Sequence, residues 1–120
     1  MNTLEIKFRG KGISRGEWVY GDLLRLVLGG NIHWYIKPLD SKRMEVDIKT
    51  VGQYIGKIKT EQEIYINDLV QHGETIRIVE YRNGNTCLIR QNKQDTILLS
   101  FSANPKKVGN IFDNPELLKE

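Results

Sequence analysis

An Asn83-Gly84 pair lies in the middle of ETIRIVEYRNGNTCLIRQ, with β-branched and aromatic residues on both sides. Asn followed by Gly tolerates the two positive φ angles of a type I′ turn, whose twist matches that of the strands it joins. The dipeptide therefore sets both a hairpin and its register. Counting outward pairs Arg82 with Asn85, Tyr81 with Thr86, Glu80 with Cys87, Val79 with Leu88 and Ile78 with Ile89. Both faces of this ribbon carry apolar residues, as expected where a strand bends between the two layers of a small barrel.

The rest of the chain reads as β by the same logic. LEIKFRGK alternates apolar Leu4, Ile6 and Phe8 with Glu5, Lys7, Arg9 and Lys11, which predicts a strand over 4–9 with three cations on one face. Gly10, Gly12 and Gly16 then mark a tight loop. EWVYGDLLRLVL follows as a second strand. A helix over 22–28 is the alternative there, although Gly21 and Gly29-Gly30 would confine it to two turns. Gly29-Gly30-Asn31 turns the chain into NIHWYIKPL, where alternation sets Ile32, Trp34 and Ile36 against His33, Tyr35 and Lys37. Trp18 and Trp34 are expected in the core. DSKRMEVD is a polar loop leading into MEVDI, TVGQYIGKI is a strand, KTEQE a bend, TILLSF a nearly continuous apolar strand and KKVGNIF the last one. DNPELLKE predicts a short helix, with Asn114 as N-cap, Pro115 as first helical residue and Glu116 favoured by the helix dipole.

At 120 residues this is enough chain for a mainly β fold either as one compact domain or as two subdomains, 1–60 and 61–120. The halves differ in charge. Residues 1–60 hold 11 Lys and Arg against 6 Asp and Glu, and residues 61–120 hold 7 against 9. The basic surplus centres on Lys7, Arg9, Lys11 and Arg15, the candidate contacts to a nucleic acid, with Trp18, Tyr20, Trp34, Tyr35 and Tyr54 nearby. The same residues also read as a solvated strand face. A weak echo aligns EWVYGDLL with EIYINDLV, placing Asp22 and Asp68 in equivalent positions, and Val51-Gly52 with Val108-Gly109. Two similar β units would explain it, and so would chance recurrence of short strand phrases.

None of these phrases assembles a reaction centre. His33 and His72 lack an HxxxH or CxxC companion, and GxSxG, P-loop and Rossmann signatures are absent from the sequence. Asp22 and Asp68 read as turn caps rather than an acid/base pair. No catalytic, metal-binding or cofactor-binding residues are expected, and no cofactor. The single cysteine, Cys87, sits in an apolar strand and reads as a buried structural thiol. The N-terminal MNTLEIKFRGKG has no apolar signal-peptide segment, and no apolar run is long enough to cross a bilayer, so a cytoplasmic location and no membrane partner are expected.

The phrases KFRGKG, GEWVYGDLL, TVGQYIG, EIYINDLV and VGNIFDNPELL, in this order, closely resemble those of the YopX family of phage and prophage proteins. The resemblance covers nearly the whole chain. It implies a predominantly β protein with a small SH3-like barrel in its C-terminal part, encoded by a phage or prophage of a bacterial host and of unknown molecular function. The chain departs from the family pattern at Ile66-Asn67, where Glu-Gly is usual, and at Ile55, where Thr is common. Asn67 remains able to adopt a left-handed turn. The expected function is that of a non-enzymatic accessory protein acting through a protein partner or self-association. Binding of nucleic acid through the basic first strand is the alternative.

Overall fold

The computed structural model describes residues 5–58, 61–90, 96–99 and 105–118. The chain divides into two compact units, Met1–Tyr54 and Ile55–Glu120.

The first unit is built from β1 (Phe8–Gly12), β2 (Trp18–Leu28), β3 (Asn31–Lys37) and β4 (Met44–Lys57). Each strand pairs with the next, and β4 also returns to pair with β1, so the four close into a small barrel. Closure requires β4 to bend. Arg9 lies opposite Gly52 but Lys11 lies opposite Asp47, so extra residues of β4 bulge out between them. Thr50 Oγ1 fixes the bulge by accepting the Lys11 N–H at 2.8 Å and donating to the Asp47 carbonyl at 2.7 Å. Val19, Ile36 and Val46 fill the interior, packed by Phe8, Leu23, Trp34, Met44 and Val51.

Gly10 and Gly12 belong to β1 rather than to the loop expected from the sequence. A Cβ on Gly10 would lie 3.0 Å from Val51 and 3.2 Å from both Ile36 and Val46. The glycine is there because three aliphatic side chains converge where a fourth has no room. The turn falls instead at residues 13–16, closed by Gly12 N–H to the Glu17 carbonyl and Gly16 N–H to the Gly12 carbonyl, both 2.8 Å. Segment 22–28 is strand, not helix, and Gly29-Gly30 makes the tight turn into β3 with φ of 59° and 82°.

The second unit contains β5 (Glu63–Tyr65), β6 (Asp68–His72), β7 (Thr75–Arg82), β8 (Asn85–Ile89), β9 (Thr96–Leu98) and β10 (Lys106–Asn110). Strand β5 adds to the end of β4, and the others form a sheet in the order β10-β6-β7-β8-β9. Asn83 and Gly84 have φ of 51° and 81°, and every pair of the β7/β8 register matches the sequence expectation. The two faces of this sheet are both buried: Val70, Val79 and Leu88 join Ile58 and Ile64 on one side, while Leu69, Ile78, Cys87 and Ile89 form the cluster on the other.

Two expectations are corrected. The N-terminal unit, for which only a β subdomain was expected, is itself a closed four-strand barrel. The chain also ends in a 3-10 turn, Pro115–Leu118, rather than an α-helix. Asn114 does not cap forward. Its Oδ1 accepts the N–H of Asn110 at 3.2 Å, and Asn110 Oδ1 in turn accepts the N–H groups of Phe112 and Asp113 at 2.9 Å. With its side-chain oxygen engaged backward, Asn114 joins the following turn through its main-chain carbonyl, which accepts the Leu117 N–H at 3.1 Å. Leu4, the first two residues of KTEQE and the last two of TILLSF lie outside the described residues.

Candidate functional site

Strand β1 decodes the KFRGKG phrase. Its even residues, Phe8, Gly10 and Gly12, face the barrel interior, which leaves Lys7, Arg9 and Lys11 on the opposite face. Alternation thus groups the three cations correctly, yet that face is not open water. Because β1 is flanked by both β2 and β4, aromatic residues of these neighbours fold over it. Lys7 Nζ lies 4.7 Å from the centre of the Tyr54 ring, the Arg9 guanidinium 4.6 Å from Trp18, and Lys11 Nζ 5.4 Å from Trp18. These are cation–π distances, each worth about 0.5–2 kcal/mol depending on desolvation.

Arg9 is 2% exposed, which corrects the expectation of a solvated cation. It sits opposite Tyr20 on β2 and opposite Gly52 on β4. The arginine is part of the packing between strands. Lys7 is mostly buried along its side chain and lies 3.6 Å from Glu5. Lys11 is half-buried, and Arg15 is exposed in the turn after β1. The structure therefore brings Lys7, Arg9 and Lys11 together as an aromatic-covered row. Both tryptophans, expected in the core, are half-buried: Trp18 covers that row, and Trp34 packs one side against the core cluster.

The other polar residues singled out by the sequence have local jobs. Asp68 is fully buried, and its Oδ2 accepts the Tyr65 N–H at 2.7 Å and lies 3.3 Å from Lys107 Nζ. It holds the turn in which Asn67 takes a φ of 76°. Asp22, its counterpart in the sequence echo, is exposed on β2 opposite Lys37. The two aspartates do different work. His33 Nδ1 and Glu45 Oε2 lie 2.8 Å apart across β3 and β4. Cys87 is buried, and its Sγ is 3.6 Å from the Asn85 carbonyl. Among the described residues no three His, Cys, Asp or Glu side chains converge as metal ligands, and no helix is long and apolar enough to cross a membrane.

The sequence reading missed an apolar surface on the first unit. Strands β3 and β4 pair at Ile36/Met44 and Tyr35/Glu45, after which β4 continues against β1 and the two part. The opening is a groove of about 530 Å³ with Ile13, Ile32, Trp34 and Ile48 on its walls and Lys11, Glu45 and Asp47 among its polar residues. Ile13, Ile32 and Ile48 are 60%, 52% and 42% exposed, and Val27, paired with Ile32 on the same face, is 59% exposed. Leu24 and Leu28 lie half-exposed on the opposite face of the hairpin. A signal was present in LLRLVL, which is apolar at both parities and so cannot hide one face in a half-buried sheet.

A family model described as YopX protein matches residues 7–119. No curated protein matches the chain. The matched span includes every described strand of both units, and on that coverage the chain belongs to the YopX family.

Proposed function

We propose that this chain is a non-enzymatic accessory protein of a phage or prophage, working in the bacterial cytoplasm by self-association or by contact with another protein. The observation that carries the reading is the half-exposed aliphatic surface of the first unit, where Ile13, Val27, Ile32 and Ile48 face solvent on or beside one groove. Contiguous apolar surface of this kind marks interaction sites far more often than scattered single residues do. The polar side chains most suited to chemistry are engaged otherwise: Asp68 holds a turn, Thr50 a bulge and His33 a carboxylate. Within this reading the second unit is the SH3-like part. Its support is the strand order β10-β6-β7-β8-β9, in which the last strand returns beside the first of a four-strand meander.

A second reading has its own observation. Lys11 lies at the end of the aromatic-covered row, over half-buried Trp18, with Arg15 exposed in the turn that follows, and cations beside stacking rings are what single-stranded nucleic acid uses. Salt separates the two. Apolar association, followed by light scattering, should persist as salt is raised, whereas nucleic-acid retention should fall steeply as counterions compete. A protein that stays monomeric at every concentration and retards DNA only at low salt would replace the first reading by the second.

A further inference from the structure

One face of the β2/β3 hairpin grades from core to solvent. Leu23 pairs with Ile36, Arg25 with Trp34 and Val27 with Ile32, so these six side chains share that face. Along it Ile36 is fully buried in the barrel, Trp34 is half-buried at the mouth, and Ile32 and Val27 are more than half exposed near the tip. The other wall of the groove follows the same course: Val46 is buried, whereas Ile48 and Ile13 stand exposed. The barrel's core therefore runs out through its open end. Charged residues around the groove are engaged elsewhere. Glu45 Oε2 meets His33 Nδ1 at 2.8 Å, Asp47 Oδ1 accepts the Lys49 N–H at 3.0 Å, and Lys11 Nζ lies over the Trp18 ring. What the groove presents to an occupant is mainly aliphatic.

Resting on the self-association reading, we propose that the occupant is the same surface of a second copy, packed face to face about a two-fold axis near Ile32, so that each hairpin tip sits in the other copy's groove. Three features favour a copy of the same chain. Residues 26–36 contain no Lys, Arg, Asp or Glu, so tip and groove match in charge, and the strip offers no row of charges to a polyanion or polycation. Arg25, opposite Trp34 on the outer strand of the hairpin, supplies a polar rim. The tip is also thin. Neither Gly29 nor Gly30 has any heavy atom within 4 Å of where a Cβ would be, so bare main chain leads into the groove with Val27 and Ile32 behind it. The third feature is area. Ile13, Val27, Ile32 and Ile48 expose roughly 400 Å² of side chain per copy, the size of the largest apolar patches on soluble monomers. With the tip and the rim added, this approaches the ~800 Å² that each partner gives to a standard interface. Contact is made by side chains on the sheet face, so every strand pairing within the barrel stays as it is.

The test uses the full chain. Light scattering is expected to give twice the monomer mass for the wild type at high concentration, and the monomer mass for Ile32→Lys with an unchanged far-ultraviolet circular dichroism spectrum. Ile32→Cys, treated with a short bismaleimide, is expected to crosslink into dimers in high yield, while Leu24→Cys, on the other face of the hairpin, is not; the wild type, whose Cys87 is buried, is the control. A mixture of Val27→Cys and Ile13→Cys is expected to give the mixed crosslink, identified by peptide mass, because one copy's tip lies in the other's groove. The crosslinking set keeps the test decisive should Ile32→Lys fail to fold. A wild-type dimer that survives Ile32→Lys, that crosslinks through Leu24→Cys and not Ile32→Cys, or that gives no Val27–Ile13 crosslink overturns this packing while leaving self-association in place. A wild type that is monomeric throughout overturns both.

Discussion

Replacing Gly10 by alanine should destabilise this protein, although Gly→Ala within a strand ordinarily stabilises by about 0.5–1 kcal/mol through the unfolded chain. The added methyl would lie 3.0 Å from Val51 Cγ2, 3.2 Å from Ile36 Cδ1 and 3.2 Å from Val46 Cβ. Val46 Cβ is fixed by the main chain of β4, and Ile36 is fully buried, so neither neighbour can yield cheaply. Overpacking of one methyl at such a point costs about 1–3 kcal/mol, which outweighs the entropic gain and leaves a net loss of roughly 1–2 kcal/mol. Urea unfolding read by tryptophan fluorescence is the suitable assay, because both tryptophans, Trp18 and Trp34, lie in the first unit. With an m-value of about 1.5 kcal/mol/M the midpoint should fall by roughly 1 M. Gly10→Val, with two further methyls in the same place, should abolish cooperative folding of this unit. A midpoint for Gly10→Ala equal to or above wild type would refute the claim that the barrel interior is filled at this position.

Other perturbations bear on the remaining parts. Gly84→Val places a branched residue at a φ of 81° and should cost about 1–2 kcal/mol, seen as a lowered midpoint with an unchanged m-value. Asp68→Ala removes the acceptor of the Tyr65 N–H and the partner of Lys107; a loss of about 2–4 kcal/mol is expected in thermal or urea unfolding, and a near-neutral effect would deny Asp68 its structural role. Trp18→Ala uncovers Arg9, and because the indole is only half-buried its cost should be about 2–3 kcal/mol, less than for a fully enclosed tryptophan; a melt indistinguishable from wild type would make Trp18 a surface residue available for binding.

Local turn chemistry was the most legible part of this fold. Asn83-Gly84 and Gly29-Gly30 specify both the turn and, by counting outward, the register, since a two-residue loop admits one pairing. Asn67 in its left-handed turn and the aspartate that follows it were legible for the same reason. Features set by closure were not. Gly10 reads as a loop residue because glycine usually breaks strands, and only the convergence of Ile36, Val46 and Val51 explains it. Alternation assigned Arg9 to the right face but could not tell that β2 and β4 flank β1 on both sides, with Trp18 of β2 over Arg9 and Tyr54 of β4 over Lys7. Asn114 carries a good N-cap side chain, yet the nearer demand of Asn110 N–H takes it. The groove beside β3 was hidden because it depends on where the β3/β4 pairing stops, at Tyr35/Glu45, which no local pattern announces.

The most direct test of the account is sedimentation equilibrium of the wild type beside Ile32→Lys over a wide concentration range, at low and at high salt. Self-association through the apolar surface at the groove predicts a reversible approach to twice the monomer mass for the wild type, little changed by salt, and monomer alone for the variant. A wild type that sediments as a monomer at every concentration and salt would contradict it.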